Sequence, residues 1–104
     1  MSLYQGDRRP DGNRVMANGA PLKPRPDLLG GAFQGYDWGR DCLGARHVAI
    51  AILADRCGDD AARQHHLAFL EMVVQHFSDH WSLSGAQVDA ILSYIKALEA
   101  QKQR

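Results

Sequence analysis

The feature that most constrains this chain is an uninterrupted apolar run from Val48 to Ala54. The run leaves no polar face, and a helix that is apolar all round has to be buried on every side. Gly58 follows it where a helix-ending glycine is expected. The pattern predicts a central buried helix from residue 45 or 46 to residue 56 or 57. A buried strand over 48–53 is the alternative.

The first 26 residues carry the turn signals of small β-hairpins. Asn18-Gly19 is the strongest signal, because both residues tolerate positive φ. Arg9-Pro10-Asp11-Gly12 has Pro and Gly where a β-turn favours them. Strands are predicted at residues 3–5, 14–17 and 20–23, the last at a sheet edge because Pro21 has no N–H to donate. After a loop over 27–34, a fourth strand is expected at 32–38, with a structured loop as its alternative.

Two further helices are predicted in the C-terminal half. Asp59 or Asp60 is expected to cap the first, which runs to about residue 77. Its apolar arc consists of Leu67, Phe69, Leu70, Val73, Val74 and Phe77. A loop holding Trp81 and Leu83 is expected next. Ser84-Gly85-Ala86-Gln87 is a capping box that begins the last helix, at 85–99, and a frayed tail is expected from about residue 100.

These elements predict a single α+β domain over residues 1–104. A small three- to four-stranded antiparallel sheet, N-terminal in the chain, is expected to pack on three C-terminal helices. The chain has 12 basic and 12 acidic residues, so no overall field draws it to nucleic acid or to a membrane. The N-terminus lacks a signal-peptide pattern, which predicts a cytoplasmic protein whose Cys42 and Cys57 stay reduced.

The stretch Gly35-Tyr36-Asp37-Trp38-Gly39, followed by the helix that ends in Leu53-Ala54-Asp55, carries a family resemblance. It resembles a family of small bacterial and phage proteins known as domain of unknown function 6166. The likeness covers most of the chain. This chain departs from the family at Gly39–Ala45, where the family has a glycine-rich turn ending in proline. The resemblance implies the same fold and a phage or mobile-element setting, and it implies no activity.

The turn from Gly39 to Gly44 is a candidate anion site, because the helix behind it offers unpaired N–H groups and a partial positive charge. Arg40 and Arg46 would add to that charge. The turn has neither the P-loop pattern nor the dinucleotide-binding fingerprint. The alternative is a structural turn that places Trp38 under the sheet.

Histidines and cysteines form no site that the sequence specifies. His76 and His80 are four residues apart, and Asp79 and Cys57 are conceivable further ligands, but a helix end near residue 78 would separate them. We therefore predict no metal site and no cofactor. His66 falls on an apolar arc and is expected to be hydrogen-bonded and partly buried. A Cys/His nucleophile pair lacks any sign of an oxyanion hole, so no catalytic residue is assigned.

These patterns, with the phage or mobile-element setting that the resemblance implies, lead us to expect a non-enzymatic accessory protein that binds another macromolecule. A protein is the expected partner, and a homodimer is left open. Tyr36, Asp37 and Trp38 are its candidate partner surface, and Asp37 is also expected to accept backbone hydrogen bonds in the turn. The alternative is a ligand-binding or enzymatic protein that holds an anionic group with Gly39, Arg40, Gly44 and Arg46. A nucleic-acid binder is third, and no membrane partner is expected.

Two structural observations would separate the first two functions. A pocket in which Asp37, Arg40, Arg46 and His47 converge would favour the binding of a small ligand. A flat exposed apolar patch would favour a macromolecular partner.

Overall fold

Four strands and four helices follow one another along residues 2–102, the part of the chain that the computed structural model describes. They are β1 Leu3–Asp7, β2 Arg14–Ala17, β3 Ala20–Pro21, α1 Pro26–Leu29, α2 Leu43–Cys57, α3 Asp59–Met72, β4 His80–Ser84 and α4 Gly85–Lys102, with a 3-10 turn at Val74–His76. The strands form one antiparallel sheet in the order β3-β2-β1-β4. The predicted α+β class, with an N-terminal antiparallel sheet followed by helices, is confirmed.

Helix α2 is buried on every side, as its sequence predicts. Ala45 and every residue from His47 to Ala54 are at most 9% exposed. Helices α1, α3 and α4 all pack against it. Gly58 ends the helix with a φ of 97°, and its N–H donates to the carbonyl of Ala54. The helical interpretation of the apolar run is therefore correct, and the strand alternative is wrong.

The predicted hairpin turns are present. Asn18 and Gly19 have φ values of 54° and 81°, and they join β2 to β3. Gly12 donates to the carbonyl of Arg9, which closes the preceding turn. The sheet is tied to the central helix by Tyr4 of β1, because its hydroxyl donates to a carboxylate oxygen of Asp55 at 2.7 Å.

The fourth strand lies elsewhere than the sequence predicts. Residues 32–38 are an irregular loop, because Gly35 has a φ of 114°, which an extended strand cannot accommodate. The fourth strand is β4, which pairs with β1 along its whole length. Trp81 and Leu83, expected in a loop, belong to β4, and the Trp81 indole lies directly across Gly6 of β1, where a side chain would collide with it.

Helix α3 is shorter than predicted and begins differently. It ends at Met72 rather than near residue 77, and the 3-10 turn follows. Its N-cap is Gly58, so neither Asp59 nor Asp60 caps it. Both aspartates lie in the first turn of the helix, where their negative charge interacts favourably with the helix dipole. Leu67, placed on the buried arc by its spacing, is 52% exposed.

Helix α4 begins with the predicted capping box. The Ser84 hydroxyl accepts from the Gln87 N–H at 3.1 Å, and the Gln87 side-chain oxygen accepts from the Ser84 N–H at 2.8 Å. The helix continues to Lys102, so residues 100–102 are helical where a frayed tail was expected. The remainder of that tail, residues 103–104, lies outside the described residues.

Three smaller observations complete the fold. Residues 27–29, predicted as part of a loop, belong to the single turn α1. Cys42 and Cys57 are both free and half-buried. Within residues 2–102, no helix has the length and apolar character needed to cross a membrane.

We expect the core of α2 to be intolerant of cavities. Ile50→Ala and Ile52→Ala should each lower the free energy of unfolding by about 2–5 kcal/mol, since both side chains are completely buried. Leu67→Ala is the matched control on an exposed helix position and should change stability by less than about 1 kcal/mol. Urea unfolding followed by circular dichroism measures all three. Equal stability of the core and control variants would contradict the burial of α2.

Candidate functional site

Trp38 anchors the loop that precedes α2. Its side chain is 1% exposed, and the indole N–H donates to the carbonyl of Ser78 at 2.8 Å. The next residue, Gly39, donates its N–H to the carbonyl of Val74. The Arg8 guanidinium stacks over the indole, 4.8 Å from the ring centre. Trp38 thus lies in the core, where its ring fixes the position of the candidate partner surface without being exposed on it.

Asp37 is the centre of a charged network. Its carboxylate accepts hydrogen bonds from Arg8 Nη1 at 2.9 Å and from the Trp38 backbone N–H at 2.8 Å, so the predicted bonding to the backbone of the turn is present. Arg40 Nη2 lies 3.4 Å from the second carboxylate oxygen. Partial burial raises the pKa of this carboxyl, but the hydrogen bonds and charges of its partners outweigh burial and hold that pKa below its ordinary value.

Asp37 also lies directly against the first turn of α2. A Cβ on Gly44 would come within 2.7 Å of both the Cβ and the backbone N of Asp37, so a residue with a side chain cannot occupy position 44 without moving the loop. The Cys42 thiol is 3.8 Å from the Asp37 carboxylate. The chain therefore places a carboxylate of its own beside the N-terminus of α2, where an anion is electrostatically favoured.

The predicted anion-binding residues are only partly brought together. The Arg40 side chain is 73% exposed and pairs with Asp37. Arg46 pairs with a different carboxylate, that of Asp41, at 3.2 Å. Of the four groups whose convergence would favour a small ligand, Asp37 and Arg40 line a common cavity, and Arg46 and His47 are not among its lining residues. Anion binding at the turn from Gly39 to Gly44 stays a prediction.

Two adjoining cavities lie on the two sides of Tyr36. The polar cavity has a volume of about 330 Å³ and is lined by Asn13, Gln34, Gly35, Tyr36, Asp37, Arg40, Cys42, Leu43 and Gly44. The apolar cavity has a volume of about 440 Å³ and is lined by Asn13, Arg14, Val15, Met16, Pro21, Leu22, Pro24, Phe33, Gly35 and Tyr36. Because they share three residues, we treat them as one feature and call it the Tyr36 groove.

Tyr36 is held in place from both ends. Its hydroxyl donates to the carbonyl of Leu22 at 2.9 Å, and its own carbonyl accepts from the Asn13 side-chain amide at 3.0 Å. Burial raises the pKa of its hydroxyl, so that the group stays a neutral donor. The β2–β3 hairpin and the loop before α2 are thereby fixed to each other, and the groove runs along their junction.

His47 is a buried polar side chain. From the sequence, it is named only among the four groups whose convergence would favour a small ligand. It is completely buried in α2, and neither ring nitrogen has a hydrogen-bond partner among residues 2–102. The Phe33 ring packs edge-on against the imidazole at 5.1 Å. Burial lowers the pKa of His47, which keeps the ring neutral. Its position directly before the apolar run, in the same helix, was the available signal.

The remaining histidine predictions can now be placed. His76 lies in the 3-10 turn and His80 in β4, so no common helix face joins them, and residues 2–102 hold no cluster of three potential metal ligands. His80 instead pairs with Asp7 at 3.0 Å across the sheet. His66 is half-buried, with Nδ1 bonded to the carbonyl of Ala62 at 2.8 Å, as expected.

The arginines of the described chain are all engaged with carboxylates. A guanidinium nitrogen of each lies within 3.8 Å of a carboxylate oxygen of an aspartate. These arginines are Arg8, Arg9, Arg14, Arg25, Arg40, Arg46, Arg56 and Arg63. A nucleic-acid surface requires cations that are available to phosphates. Exposed ion pairs of this kind are weak, so nucleic-acid binding stays a prediction.

The fold and the groove define a small α+β domain whose loop before the central helix is fixed by Trp38 and Asp37. The chain belongs to the family of unknown function DUF6166, whose model matches residues 4–94. The family resemblance of the Gly35–Gly39 segment and of the helix that follows is thereby confirmed. The chain matches no curated protein and no solved structure.

We expect Asp37 to contribute stability that depends on pH. Its lowered pKa means that this contribution is complete above the unfolded-state pKa of about 3.9 and is lost as the pH falls through the folded-state pKa. Asp37→Asn should therefore be less stable by about 1–2 kcal/mol at pH 7, and the difference from the wild type should shrink on acidification. Urea unfolding from pH 7 to pH 2.5 measures this.

Asp11→Asn is the control, because its side chain is 65% exposed, it lies outside the helices, and its ion pair with Arg14 is expected to contribute at most about 0.5 kcal/mol. If Asp37→Asn and Asp11→Asn had the same stability at pH 7, the proposed role of the Asp37 network would be wrong.

Proposed function

We propose that this protein is a non-enzymatic accessory protein of phage or mobile-element type that binds a protein partner in the Tyr36 groove. The observation that carries the proposal is the joining of an apolar cavity to a polar one along a junction fixed by hydrogen bonds from Tyr36 and Asn13. This surface is a groove rather than the flat patch named above for a macromolecular partner, and it offers apolar area for affinity and polar groups for orientation.

The groove lies at the edge of the sheet, which suits an extended peptide segment. Strand β3 has two residues, and Leu22 adds one more bond to the carbonyl of Val15. Beyond that point, the edge of β2 faces the loop of Phe33 to Tyr36, and Met16, Pro21 and Leu22 supply the apolar wall. A peptide in this position would meet apolar side chains at one end and the Asp37–Arg40 pair at the other.

The charged groups of the groove favour binding over catalysis. Asp37 is bonded to Arg8 and to a backbone N–H, which keeps it ionised and weakens it as a proton acceptor.

Charge placed in the groove tests this proposal. The variant Met16→Glu/Leu43→Glu puts one carboxylate into each cavity, at one strand and one helix position. Its matched control is Leu3→Glu/Leu67→Glu, which adds the same charge to one exposed strand position and one exposed helix position outside the groove. The wild type and both variants are used as baits in cells of the native host. Mass spectrometry then identifies the molecules that co-purify with each bait.

A partner protein that depends on the groove is then purified and titrated against all three baits by calorimetry. We expect the groove variant to weaken binding by at least about tenfold, with the control within about twofold of the wild type. The proposal fails if no captured protein discriminates the groove variant from the control. It also fails if nucleic acid is the molecule that co-purifies.

A further inference from the structure

His47 requires an explanation that the fold does not provide. Its imidazole is completely buried, and both ring nitrogens lack a hydrogen-bond partner among residues 2–102. Buried polar side chains in proteins are nearly always hydrogen-bonded, so an imidazole left without a protein partner points to a group from outside the described chain. A neutral imidazole offers one acceptor nitrogen and one N–H donor.

A single side chain separates His47 from the Tyr36 groove. Phe33 packs edge-on against the imidazole, with ring centres 5.1 Å apart, and it also lines the apolar cavity. Its other aromatic neighbour is Tyr36, at 4.8 Å. Phe33 thus occupies the position that a ligand ring would need in order to reach His47 from the groove.

The backbone around Phe33 favours its displacement. Gly31 and Gly35 flank it with φ values of 101° and 114°, and space is open where a Cβ would stand on either glycine. Phe33 itself is half-buried, unlike the core rings of Tyr4 and Phe69. The segment therefore holds Phe33 with less packing than the core elements have.

We propose that the apolar cavity of the Tyr36 groove is a binding site for a small aromatic molecule that carries a hydroxyl or N–H group, of the phenol or indole kind. The ligand ring takes the place of the Phe33 ring, and its polar group hydrogen-bonds to His47. The cavity volume of about 440 Å³ is in the range of small-molecule sites. This inference does not rest on the proposed protein partner.

The chemistry of the cavity selects a neutral ligand. Its walls include Leu22, Pro24 and Tyr36, and Arg14, the cation among its lining residues, already pairs with Asp11 at 3.0 Å. The buried imidazole is neutral, so it offers hydrogen bonds rather than a charge to a ligand. Phenol should therefore bind better than toluene, which has the same ring and would leave His47 without a partner.

NMR titration with phenol and toluene tests the site. The readouts are the backbone amide shifts of isotope-labelled protein and the imidazole nitrogen shifts of His47. For the wild type we expect saturable shifts at Phe33, Tyr36 and His47, with phenol at least about tenfold tighter than toluene. Phe33→Ala should bind phenol more tightly than the wild type does, because the position of the ring is vacated.

His47→Phe should abolish the preference for phenol over toluene and should remain folded, since an apolar ring replaces an unpartnered polar one. Leu67→Ala, outside the cavity, should bind as the wild type does. The proposal is overturned if phenol causes no saturable shift at His47 up to about 10 mM, or if phenol and toluene bind the wild type equally. If only the Phe33→Ala variant bound phenol, the cavity would be one that the substitution creates, and the proposal would be overturned as well.

Discussion

The burial of α2 on every side is the constraint on which the rest of this structure depends. A helix without a polar face is stable in water only when other elements cover it completely. Here α3, α1 and α4 pack on it, and the sheet is joined to it by the hydrogen bond from Tyr4 to Asp55. The alanine side chains of α2 are small, so the neighbouring helices can pack close to it.

The same helix determines where the groove lies. The first turn of α2 contains Gly44, and the absence of a side chain there allows Asp37 to pack directly on the helix. Asp37 then holds Arg8 and Arg40, and Trp38 enters the core beside it. The loop that forms one wall of the Tyr36 groove is consequently anchored at its Asp37–Trp38 end, although it contains no regular secondary structure.

Local signals predicted much of the fold. The apolar run of α2, the Asn18-Gly19 turn and the capping box at Ser84 are encoded in neighbouring residues, and all three are present. Strand β4 was missed, although Trp81 and Leu83 alternate with polar residues as a half-buried strand requires. Its pairing with β1 joins residues more than 70 positions apart. Residues 32–38, for which the sequence leaves a strand or a structured loop open, form the loop.

The candidate site was harder to predict, because its partners come from distant parts of the chain. The sequence indicated Asp37 and Arg40, but the second cation on Asp37 is Arg8, which follows β1. Asn13 and Phe33 enter the groove through the hairpin and the glycine-flanked loop. No local sequence pattern specifies these long-range contacts. An ion pair, for example, forms between whichever charged side chains the packed elements bring together.

Native-state hydrogen exchange tests the central role of α2 most directly. We predict that the amides of residues 50–53 exchange only through global unfolding, with the free energy of opening equal to that measured by urea. Amides of the short elements α1 and β3 should open at lower free energy. Exchange of the α2 amides at the rate of those in α1, while α3 and α4 remained protected, would contradict the account.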